Sequence, residues 1–176
     1  MSKTEERIFD PNHHYFPEFD DPSIVAFLIP FGRLMFGYAK LDREIARLVG
    51  VAANNPVLED KFRRADADKV SEQVEKTIRK HVGVIAEMQA IKDQLDLSAK
   101  LYDLRNVLAH GHWWRFDPSS ETITIRRDRD HDVRFVDVTR IEIEQAAEQF
   151  EDIEVEIYKI RRAIEARQIE TAGIVR

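Results

Sequence analysis

Arg105, Asn106 and His110 stand close together in the stretch LRNVLAHGH, which runs from Leu104 to His112. A guanidinium offers a planar fork of donors that matches a phosphate, and an imidazole moves a proton near neutral pH. RNA transesterification needs those two parts, because a ribose 2′-OH must lose its proton while charge builds on the phosphoryl oxygens it attacks. Positions four apart share a helix face, so Asn106 and His110 stack, and Arg105 lies about 100° round from Asn106 with a side chain long enough to swing into the same space. In this reading His110 moves the proton, Arg105 stabilises the phosphoryl charge and Asn106 orients the ring or the phosphate. A helix C-terminus favours positive charge, which suits His110 to a general acid. A second protomer would then supply the matching base.

A purely structural reading fits the same residues. Arg105 can pair with Asp103, Glu142 or a helix end, and His110 can bond the last carbonyls of its own helix. Spacing alone decides nothing, since Arg126 and His131 repeat it inside a charged stretch and carry no assignment here. What separates the first occurrence is its company: Asn directly after Arg, an apolar pair before His110, Gly111 after it, and two tryptophans next. Trp113, Trp114 and His112 are candidate substrate-binding residues because aromatic faces stack on bases, although at least one tryptophan is expected in the core or an interface. His110 with His112, and His13 with His14, lack a carboxylate at ligand spacing, so no metal or cofactor is expected.

The longer pattern RNVLAHG resembles the signature of HEPN domains, helical bundles found among prokaryotic toxins, defence systems and RNA-processing factors. The resemblance covers the motif and the order of helices over roughly residues 80 to 170. It implies a metal-independent endoribonuclease with Arg105, Asn106 and His110 as its active site, formed across a homodimer interface, and an antitoxin or other protein as partner. The family also holds members without nuclease activity that bind nucleotides, RNA or proteins, and that alternative stays open for this chain.

The elements that must hold the motif follow from periodicity. From Pro30, the residues Phe31, Leu34, Tyr38, Leu41, Ile45 and Leu48 recur at threes and fours, which predicts a helix ending near Asn54, Asn55 and Pro56. A second helix is expected over Asp66 to Lys80, with Gly83 breaking or bending it. Leu97, Leu101, Leu104 and Leu108 are expected to form the buried face of the helix that carries the motif, with Gly111 as its stop. Alternation then replaces helical spacing, predicting a β-hairpin or three-stranded insert over about 113–138 with turns at 117–120 and 128–132. Thr139 and Glu142 suit a capping box for a last helix with Ala146, Phe150, Ile153, Ile157, Ile160 and Ile164 as its seam. The expected fold is mainly α: an antiparallel bundle of four to five helices forming one domain over 23–176. Residues 1–22, with three prolines, are expected to form an extended arm anchored by Tyr15, Phe16 and Phe19.

Composition bounds the rest. The 176 residues suffice for one domain, and 43% hydrophobic with 34% charged residues is the usage of a globular, helix-rich chain. The absence of cysteine removes thiolate zinc sites, CxxC redox chemistry and a cysteine nucleophile. A net charge of −6 argues against a surface built wholly to coat nucleic acid but leaves room for a local basic cleft. Met1 to Tyr15 lacks the apolar segment of a signal peptide, and the near-apolar run Ile24 to Phe31 is short of a bilayer span, so the chain is expected to be cytoplasmic and to meet no membrane.

Overall fold

The computed structural model describes residues 22–62, 69–129 and 132–174. Residues 1–21 of the expected arm therefore lie outside the described residues, as do His13, His14 and His131, while Pro22 opens the first helix. Among the described residues the order is α1 (Pro22–Ala52), α2 (Val57–Lys61), α3 (Val70–Val82), α4 (Met88–His110), β1 (His112–Asp117), β2 (Thr122–Arg129), β3 (Asp132–Thr139) and α5 (Arg140–Ile174). This is a mainly α fold with a small antiparallel sheet, in the order β1-β2-β3, inserted before the last helix.

Helix α1 begins earlier than periodicity from Pro30 predicts, at Pro22, and carries Pro30 in its interior. Proline there forfeits one ladder hydrogen bond, and burial of Ile24 and Phe27 on the same face as Leu34, Leu41, Ile45 and Leu48 offsets that cost. The helix stops where expected, with Asn54 in the left-handed region at φ 48°. Gly83, at φ +81°, ends α3 outright and gives its N–H to the Arg79 carbonyl.

Helix α5 pairs with α1 along most of its length. Arg33 donates through Nε and Nη2 to Glu151 (2.8 and 2.7 Å), Glu44 meets Arg161, and Gln168 reaches the Val51 carbonyl (2.9 Å). The Arg33 fork holds the Glu151 carboxyl below the usual carboxylate range. These partners rise together in number, so α1 and α5 run in the same direction. The antiparallel order expected of the bundle holds for α4, whose start meets the end of α5 through Glu87 and Arg167 and whose Tyr102 packs on Tyr38 and Phe150. The reason lies in the sheet: α1 and α5 start beside it, and α4 ends there.

The capping box at α5 forms as expected. The Thr139 N–H and hydroxyl both donate to Glu142 Oε2 (2.7 and 2.8 Å), and the Glu142 N–H returns to Thr139 Oγ1 (3.2 Å). At the β1–β2 turn, hydrogen bonds from Ser119 and Ser120 hold the Asp117 carboxyl below its ordinary range.

One expected face is rotated. Leu97 is 51% exposed, and α4 instead buries Ile91, Leu95, Ser98, Leu101, Tyr102 and Leu108. Apolar residues surround much of this helix, so two stripes at helical spacing compete, and the sheet and α5 select the one that includes Tyr102.

Candidate functional site

Arg105 follows Ser98 and Tyr102 along the inward stripe of α4, which brings its half-buried guanidinium over the ring of Tyr38 from α1, 4.2 Å from the centroid. Tyr38 is itself fixed edge-on by Tyr102 (5.4 Å) and Phe150 (6.2 Å). The aromatic floor therefore draws on three helices, and its π face attracts the cation.

From that floor Arg105 Nη1 donates to Asn106 Oδ1 at 2.9 Å and meets His110 Nε2 at 3.2 Å. Arginine has donors only, so Nε2 of His110 is the accepting atom wherever this contact is a hydrogen bond. Both Nη1 protons are engaged within the motif, while Nη2 has no hydrogen-bond partner among the described residues. The buried Nε of Arg105 is also unpaired. Neither Asp103 nor Glu142 takes up Arg105, since Glu142 is committed to Thr139.

His110 is exposed at the last turn of α4, and Gly111 caps it with an N–H to the Val107 carbonyl (3.0 Å). Gly111 stops the helix as expected, with φ −79° and an extended backbone. Glycine is required for a different reason. A Cβ there would fall inside the contact shell of Ile125 Cγ2 and 2.6 Å from the Val107 carbonyl oxygen, because β2 crosses directly over the helix end. Gly111→Ala is expected to cost about 1–3 kcal/mol through forced displacement of β2. It should lower the melting temperature and loosen His110; an unchanged melting curve would show that the strand moves freely.

The remaining candidates separate. Trp113 turns inward, donating Nε1–H to the Leu108 carbonyl (2.9 Å) and packing edge-on against Phe27 and Phe31. It anchors the sheet to α1 and α4 and is a packing residue. Trp114 faces the opposite way, against Phe135 and Arg126, and His112 is exposed at the start of β1. Sequence reasoning did not find Tyr38 as the seat of Arg105 or Phe135 as the neighbour of Trp114. Tyr38 lay on a predicted core face, but only helix packing brings it to Arg105.

Among the described residues no three His, Asp or Glu side chains are grouped so that they could hold a metal ion. Comparison with models of protein families, with curated proteins and with solved structures finds no match to this chain.

Proposed function

We propose that this protein is a HEPN-like endoribonuclease that cleaves RNA without a metal, by attack of a ribose 2′-OH on the adjacent phosphate. The observation that carries this reading is the Arg105 bridge to Asn106 and His110 on the Tyr38 ring. A substrate phosphate competes for the guanidinium, first at the unengaged Nη2 and then at Nη1. As Arg105 turns to the phosphate, Nε2 of His110 is released to take the 2′-OH proton, and Arg105 stabilises the developing phosphoryl charge. Asn106 keeps the guanidinium oriented. A second protomer brings a second His110, which enters the reaction protonated and gives its proton to the leaving 5′ oxygen.

The long apolar helix α1 meets the length and composition of a membrane span. Its charged neighbours support a core helix of a cytoplasmic protein instead: Glu44 is 3% exposed against Arg161, and Arg33 and Lys40 reach α5 carboxylates.

A non-catalytic binding module of the same fold is the second reading, favoured by the use of both Nη1 protons inside the motif. Incubation with single-stranded and structured RNA in EDTA, together with light scattering at micromolar concentration, separates the two. Cleavage in chelator by a dimer is the expected result. Activity that vanishes in EDTA and returns with zinc or manganese refutes the metal-free mechanism, and a monomer mass refutes the paired site.

A further inference from the structure

The sheet has a second face that the motif does not use. In register, Trp113 opposes Ile125 and Arg115 opposes Thr124, so a β-bulge falls at Trp114. The bulge interrupts the usual alternation: Trp113 and Phe116 point into the core, while the consecutive residues Trp114 and Arg115 both serve the outer face. Bulges re-aim side chains in this way next to functional sites. On that face the ring of Trp114 meets Phe135 edge-on at 5.7 Å, and the Arg126 guanidinium lies 5.7 Å from its centroid. Phe135 is 55% exposed, although β3 could have placed a polar residue there at no cost to the core. Arg126 pairs in register with both His112 and Phe135. The chain leaves this face through His112 and Gly111 straight to His110, so Trp114 and His110 are separated by at most about 14 Å of extended backbone.

We propose that Trp114, Phe135, Arg126 and Arg115 form a platform that binds a single-stranded segment of RNA beside the motif. The exposed Phe135 ring and the half-buried Trp114 ring give bases a stacking surface without sequence preference, and the two guanidiniums attract the backbone phosphates. Asp137 accepts from Thr124 Oγ1 at 2.6 Å and Asp117 from Ser119 and Ser120, and each carboxylate keeps its charge. The platform rests on the reading of RNA as substrate but not on cleavage, since binding and chemistry use different residues.

The test measures binding of labelled oligouridine, and of an RNA duplex of equal length, to the His110→Ala chain, then adds Trp114→Ala or Phe135→Ala. Single strands should bind more tightly than duplex, and each added change should weaken binding about 5- to 100-fold. Trp114→Phe should retain most of the affinity. Phe135→Ala removes an exposed side chain, so its melting temperature should match the parent and exclude misfolding as the cause. Equal affinities in both alanine variants overturn the platform even if the wild type cleaves RNA. Binding that weakens as expected in a chain that never cleaves supports the platform and refutes the nuclease. If Phe135→Ala dissociates a dimer and leaves RNA affinity unchanged, the face is a contact between copies and the inference fails.

Discussion

His110→Ala is expected to lose about 100- to 10,000-fold in the rate of RNA cleavage, the usual contribution of a positioned proton-transfer group. The imidazole is exposed at the end of α4 and fills no part of the core, so truncation should leave the melting temperature and the oligomer mass unchanged. Arg105 behaves differently from what its place in the motif suggests. Its guanidinium covers Tyr38, so Arg105→Ala should lose cleavage and also about 0.5–2 kcal/mol of cation–π stabilisation. Arg105→Lys keeps a charge near the ring but cannot bridge Asn106 and His110, and it should fall close to the alanine variant in rate. Because one guanidinium proton joins Arg105 to His110, the two losses should not add in the double variant. His81 supplies the control: it too is an exposed histidine in a helix's last turn, where its Nδ1 bonds the Thr77 carbonyl (2.9 Å). His81→Ala should cleave at the wild-type rate. Retained cleavage in His110→Ala, or cleavage lost only together with the fold, would return the motif to a structural role.

The largest expected loss of stability lies far from the motif in sequence. Glu44 is buried on α1 and meets Arg161, which also pairs with Glu165 and lies over the Tyr158 ring at 5.1 Å. Glu44→Ala removes the carboxylate and leaves a guanidinium whose side chain is only 12% exposed. Breaking one side of a buried pair costs about 3–5 kcal/mol, and retention of Glu165 places this case near the lower end. For a chain of this length about 3 kcal/mol corresponds to roughly 6–12 °C in melting temperature. Replacing both partners by methionine should recover most of the loss, because the desolvation cost disappears along with the attraction. Thermal and urea unfolding of the single and double variants measure this directly. A loss below about 1 kcal/mol in Glu44→Ala would mean that water reaches the pair and that it carries little of the α1–α5 contact.

Elements governed by local rules were legible in the sequence. Helical spacing located α1 from Phe31 onward and the α5 seam, and turn chemistry located the α1 end near Asn54 but left Gly83 open between a break and a bend. Thr139 and Glu142 announced the α5 cap, and alternation announced the strands, because each signal is complete within a few residues. Residue type and spacing also sufficed to bring Arg105, Asn106 and His110 together, since about one and a half turns of a single helix hold all three.

Tertiary packing decided the rest. The helical period offered α4 two apolar stripes, and contact with the sheet and α5 chose the one containing Tyr102 and exposed Leu97. The same rotation seated Arg105 on Tyr38, a partner that no local spacing links to it. Gly111 was legible as a helix stop, but the crossing of β2 is what demands its bare Cα. Trp113 and Trp114 are adjacent and chemically alike, and only the bulge opposite Ile125 sends one into the core and the other to the outer face. The parallel run of α1 and α5 has the same origin: direction in a bundle depends on which helix ends meet the sheet, and that is settled by long-range contacts rather than by any sequence period.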